Sequence, residues 1–263
     1  FALLFALACT RISPELRQPL VRFFKAVSET MLVLVRWILF LAPLGVFALM
    51  LGFTARMGAS ALGAVGYYVL VICALLAAQI VSLYALAVIV GRVSLRGFSR
   101  AIFPAQAVAF SSRSSLASLP ALSEGAGHLR VPSEVGGFVL PLAVSLFKVS
   151  APITWMSGAF FIARVNGVEI GAAGTLLIGL ASVILNFSVA GIPSGSLLVM
   201  APVFSNLGLP VEGIGILMAL DLVPDFFKTV ANVTGDMVAA VILARGSRVP
   251  AAISHRSRPA LKT

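Results

Sequence analysis

DLVPDFFKTVANVTGD, residues 221–236, lies inside an apolar run that extends from about 213 to 244. Six of its polar members, Asp221, Asp225, Lys228, Thr229, Asn232 and Asp236, fall at offsets 0, 4, 7, 8, 11 and 15. At helical periodicity those offsets put all six on one face. A run of this length and apolarity reads as a helix crossing a bilayer whose hydrocarbon core is roughly 30 Å thick. A charge at the centre of such a helix costs on the order of 3 kcal/mol. The four charges of this face therefore require partners or ligands, and the face must look into protein or water. An ion pair between Asp225 and Lys228, three residues apart, is the purely structural alternative.

The rest of the chain has the same character. Its 263 residues are 60% hydrophobic and 11% charged, with a mean hydropathy of +1.07, whereas soluble domains carry about a quarter charged residues. Further apolar runs at about 31–55, 61–91 and 134–163 are long enough to span. The fold class is an all-α integral membrane protein. The formal charge of +10 does not point to nucleic acid, because the cations sit mostly in connecting segments: Arg11, Arg17, Arg22 and Lys25, then Arg92, Arg96 and Arg100, then Arg130, then the tail from Arg245 to Lys262, with only Arg56 and Arg164 at the opposite ends of the spans. The positive-inside rule places these segments, the C-terminus included, on the cytoplasmic side of the cell membrane. Parity then requires that the segments near 101–129 and 170–208 enter and leave on one side.

Cys9 and Cys73 form neither a disulfide framework nor a metal-ligand spacing, and no cofactor motif is present. His128 and His255 are the only histidines, and both lie away from the apolar runs, which argues against a serine–histidine enzyme at membrane depth. No ring of repeated charges marks a channel. Trp37, Trp155, Tyr67, Tyr68 and Tyr84 read as lipid-facing or interfacial. Gly158, Gly171, Gly174 and Gly179 read as points of close helix approach.

The two one-sided segments share a layout. Residues 95–129 hold a helix, then SSRSSLASLP (111–120), then a short helix; residues 170–208 hold a helix, then VAGIPSGS (189–196), then a short helix. Backbone that leaves the helix at membrane depth is tolerated only where it lines a cavity or is buried in protein. Each segment precedes a spanning helix with polar residues, Lys148 in one and Asp221 to Asp236 in the other. This repetition is the pattern of inverted-repeat secondary transporters, with substrate near the midplane.

DLVPDFFKTVANVTGD resembles the last helix of the glutamate and dicarboxylate:cation symporter family. SSRSSLASLP resembles its serine-rich first hairpin, VAGIPSGS the tip of its second, and LAPLGVFAL (41–49) its fifth helix. The resemblance covers the chain from the end of the fourth helix onward. It implies the glutamate-transporter-homologue fold: two re-entrant hairpins (95–129, 170–208), an interrupted helix (134–164) and a last helix (211–246), with the N-terminal helices absent. Residues 1–57 would belong to a scaffold part, residues 58–246 to a transport domain, and residues 247–263 to a basic cytoplasmic tail. A homotrimer working as an elevator is also implied. FALLFALAC (1–9) then reads as the end of a truncated spanning helix.

Carried over by position, the resemblance implies that Asp225 binds a substrate ammonium and Asn232 its backbone carboxylate. Lys228 stands where the family has an arginine for a side-chain carboxylate. Arg113, Ser114, Ser115, Val189, Gly191, Pro193 and Thr229 complete the substrate set, with Leu116 replacing a third serine. Lys148, Asp236, Asn232 and Asp221 form the cation-coupling set. The substrate implied is an amino acid, with acidic ones favoured by Asp225 and Lys228 together. If those two neutralise each other, a neutral amino acid fits; a C4-dicarboxylate would meet Asp225 with like charge.

One stretch departs from the family. Where relatives carry Asn-Met-Asp-Gly-Thr, this chain reads Phe147, Lys148, Val149, Ser150, Ala151. Phenylalanine and valine supply none of the oxygen ligands that asparagine and aspartate offer an alkali cation there, and the site gains two units of positive charge. The expectation is that the Lys148 ammonium fills a sodium position facing Asp236, so that transport needs no sodium. A desolvated lysine that releases and regains a proton would allow proton coupling; a permanently charged one would give an exchanger or facilitator. A transport-inactive relative is the remaining alternative.

Overall fold

The computed structural model describes residues 2–58, 60–188 and 195–246. Val189, Gly191, Pro193 and the tail 247–263 lie outside the described residues. The described chain is helical without strands: α1 (Ala2–Cys9), α2 (Pro14–Met57), α3 (Ser60–Ile89), α4 (Leu95–Ser112), α5 (Leu119–His128), α6 (Ser133–Leu146), α7 (Ala151–Val165), α8 (Ala172–Ile184) with a 3-10 turn at Leu185–Ser188, α9 (Gly195–Leu198), α10 (Ala201–Asn206), α11 (Glu212–Leu220) and α12 (Pro224–Gly246). It divides into two compact units, residues 1–52 and 53–263, with the boundary inside α2.

In the first unit, α2 starts with Pro14 at its first turn, where a missing N–H costs nothing. Phe5 meets Phe24 edge-on at 5.6 Å. Trp37, Phe40 and Leu44 are strongly exposed on the single chain, the surface expected of a helix that meets lipid or other chains. The expected span at 31–55 lies in α2, several of whose side chains fall outside the described residues.

In the second unit, three helical stretches are long and apolar enough to cross a membrane: Gly63–Ile89, Ser133–Val165 and Pro224–Gly246. The centre of this unit is α12, against which α3, α4 and α6 pack. Val233, Met237, Val238, Ala240 and Val241 of α12 share one apolar core with Phe98 and Ile102 of α4, Leu122 of α5, and Leu140 and Val144 of α6. The pair α4–α5 forms a helical hairpin. Ser94 caps α4 by accepting from the Gly97 amide at 3.1 Å. Arg113 ends that helix in a left-handed conformation (φ 52°), its N–H donating to Ala109 O.

Two prolines set the interruptions. Pro152 lacks an N–H, and its ring opposes helical geometry at the carbonyl four residues earlier, that of Lys148; the helix stops at Leu146 and resumes at Ala151. Pro224 does the same to Leu220, where α11 ends. The expected continuous helix 213–244 is therefore two helices joined by a turn at 221–223. Asp225 N still donates to Asp221 O at 2.8 Å across that turn, so the polar face stays aligned.

Some side chains differ from the sequence reading. Trp155 is fully buried and Tyr68 nearly so, stacked on Phe161 at 4.5 Å; both are core residues because their helices face other helices there. Trp37 and Tyr67 are exposed as expected. A Cβ on Gly158 would meet Leu217 at 2.7 Å, and one on Gly174 would meet Ile170 and Leu207 at 2.9 Å, so these are close approaches. Gly171 and Gly179 have nothing within 4 Å.

Candidate functional site: the polar face of α12 and the break between α6 and α7

Five of the six residues of that polar face lie on α12, and Asp221 lies on the turn before it. All are buried. Lys228 Nζ contacts Asp221 Oδ2 at 2.5 Å and Asp225 Oδ1 at 3.3 Å. One ammonium thus serves two carboxylates, a compensation that burial demands. Asp225 Oδ2 is buried with no hydrogen-bond partner among the described residues. It is an acceptor aimed into the site and able to take an N–H donor. The Thr229 hydroxyl donates back to Asp225 O at 2.8 Å, which occupies its proton within its own helix.

One turn further, Asn232 Oδ1 accepts from the Ser150 backbone N–H at 3.0 Å. The amide oxygen thereby fixes the break to α12, and the amide nitrogen, which only donates, remains for an anion. Asp236 is 0% exposed, and neither carboxylate oxygen has a hydrogen-bond partner among the described residues. A buried carboxylate in that condition carries a large desolvation penalty unless a cation or a proton meets it.

At the break itself, helix termination leaves carbonyls without their usual partners. Side-chain N–H donors take them up. Lys148 Nζ donates to Val144 O, the carbonyl that the Lys148 backbone N–H would serve in an unbroken helix. Asn186 Nδ2, from the turn after α8, donates to Lys148 O at 3.0 Å. Gln79 Nε2, from the middle of α3, donates to Val149 O at 2.8 Å. Lys148 is 7% exposed and lies within electrostatic range of Asp236 without an ion pair at 4.0 Å or less among the described residues. The ammonium therefore holds the break and sees Asp236 at longer range, rather than contacting it.

The tip of the α4–α5 hairpin completes the set. Ser115 is buried, and the Ser114 hydroxyl accepts from the Ala117 amide at 3.3 Å. The Arg113 guanidinium lies 5.5 Å from the centroid of the Phe226 ring, which also packs against Phe110 at 5.0 Å. Arg113 acts electrostatically on Asp225 and makes no ion pair among the described residues. No group of three or more metal-ligating side chains occurs among the described residues.

A profile of the Sodium:dicarboxylate symporter family matches residues 1–246. The chain belongs to that family. The Sodium:dicarboxylate symporter family is one of transporters, and this member is a multi-pass membrane protein. It is 27% identical over 246 residues to the Proton/sodium-glutamate symport protein of Bacillus subtilis (strain 168), covering 93% of this chain and 57% of the relative. It is 28% identical over 246 residues to the Proton/glutamate-aspartate symporter of Escherichia coli (strain K12), covering 93% and 56%. It is 30% identical over 247 residues to the Neutral amino acid transporter B(0) of Rattus norvegicus, covering 92% and 44%. The chain spans about half the length of these relatives.

Sequence reasoning missed Gln79 and Asn186 in this symporter-family member. Gln79 had a signal: it is an uncharged polar side chain deep in the apolar run 61–91, where such a group needs a partner. Asn186 had none, because its partner Lys148 O is a backbone atom on another element.

Proposed function

We propose that the full-length protein is a secondary transporter that moves an amino acid across the cell membrane and operates without sodium. The observation that carries this reading is the occupancy of the break. Carbonyl oxygens at 144, 148 and 149 accept from Lys148, Asn186 and Gln79, and Phe147 and Val149 offer no side-chain oxygen. Backbone oxygen atoms of the kind that ligate a hard cation are engaged here by donors that the chain carries itself. Asp236 keeps its carboxylate within electrostatic range of Lys148, and protonation of one or the other during the cycle is the coupling route we favour. The elevator motion, the homotrimer, the re-entrant course of the hairpins and the cytoplasmic C-terminus belong to this proposal on the strength of family membership. So does the division into a scaffold part and a transport domain.

Asp225 Oδ2 is the acceptor for the substrate ammonium, and the Asn232 amide nitrogen is a donor for its carboxylate. A neutral amino acid is the second reading, favoured by the double engagement of Lys228 with Asp221 and Asp225. Uptake of labelled amino acid into proteoliposomes containing the full-length protein tests the proposal. Uptake should persist when sodium is replaced by choline, and an imposed inward proton gradient should raise accumulation. Steep sodium dependence would overturn the sodium-free reading. Uptake that ignores the proton gradient would leave an exchanger.

A further inference from the structure

We infer that Arg113, not Lys228, reads the side-chain carboxylate of an acidic amino acid in this site. The inference rests on the amino-acid reading above and concerns which member of the substrate class is preferred. Lys228 lies between two buried carboxylates at 2.5 and 3.3 Å. A third carboxylate there would crowd three anions around one buried ammonium, an arrangement that burial disfavours. With Asp221, Asp225 and Lys228 together the cluster carries one surplus negative charge, and a substrate ammonium at Asp225 Oδ2 offsets it. Arg113 is then the cation at this end of the site that makes no close ion pair among the described residues, although it acts on Asp225 at longer range.

The position of Arg113 is built. Its guanidinium rests 5.5 Å over the Phe226 ring, next in sequence to Asp225, and Phe110 backs that ring. A guanidinium held against a ring rather than by a carboxylate keeps N–H donors for the two parallel bonds that a carboxylate accepts. Arg113 occupies the left-handed region at φ 52° and ψ 32°, where glycine is unstrained; Arg92 and Arg130 share that region at φ 53° and 58°.

The test compares L-aspartate with L-asparagine, which differ by carboxylate against amide. Titrated into the full-length detergent-solubilised protein, aspartate should bind more tightly than asparagine. Arg113→Gly suits the local backbone, so the hairpin should fold, and it should shrink the aspartate-to-asparagine affinity ratio about tenfold to a hundredfold, the range of a charge-assisted hydrogen-bonding pair. Arg113→Lys should restore part of the ratio. A ratio unchanged in Arg113→Gly, whether affinities hold or fall together, would overturn the inference. Binding of asparagine but not aspartate by the unaltered protein would also overturn it while leaving the amino-acid carrier intact. Failure to bind either would remove the carrier reading as well.

Discussion

Lys228 and Lys148 are both buried ammonium groups, yet the structure gives them different work. Lys228 neutralises two aspartates, so Lys228→Met should deprive Asp221 and Asp225 of the cation they share. The expected loss is about 3–5 kcal/mol of stability, read as a large fall in the melting temperature of the detergent-solubilised protein. Lys148 Nζ binds a backbone carbonyl and lies near Asp236, so Lys148→Met should remove a charge-assisted bond worth about 1.5–3 kcal/mol. Thermal unfolding that showed Lys148→Met to be the more damaging change would reverse this assignment. The aligned polar face from Asp221 to Asp236 was legible in the sequence from spacing alone. That Lys228 serves two carboxylates was not, because offsets give a face and not the distances on it.

At the scale of elements, two proline-set interruptions meet α12, and glycine decides how closely. A Cβ on Gly235 would stand 2.9 Å from Val149 Cγ1, so the break packs onto α12 where that helix has no side chain. Gly235→Ala should push the break away and cost about 1–3 kcal/mol. Gly179→Ala, with nothing within 4 Å, should be neutral or add up to about 1 kcal/mol from helix propensity. Parallel melting curves of the two variants check this pair. The break at 147–151 was readable because lysine, serine and proline interrupt an apolar run. The turn at 221–223 was read through as helix, since the apolar and polar periodicity continues across Pro224 with little change of phase. Trp155 and Tyr68 were taken for lipid-facing groups on residue type, and only the packing of α7 and α3 shows them as core.

For the whole molecule, family membership was legible from four short motifs in order, whereas assembly was not written in any one of them. The proposed homotrimer gives a definite expectation: native mass spectrometry of the full-length protein in mild detergent should find three copies. A monomer would remove the scaffold role proposed for residues 1–57.

The amide and ammonium donors at the break between α6 and α7 are covalently part of the chain. A free ion has a dissociation constant and can be diluted away; a tethered one has neither property. Draining the medium of salt would not remove these donors. If transport is sodium-free as proposed, an electrochemical gradient of metal ions has nothing there on which to pull, and the carrier gains indifference to external salinity while giving up the concentrating power that a salt gradient supplies.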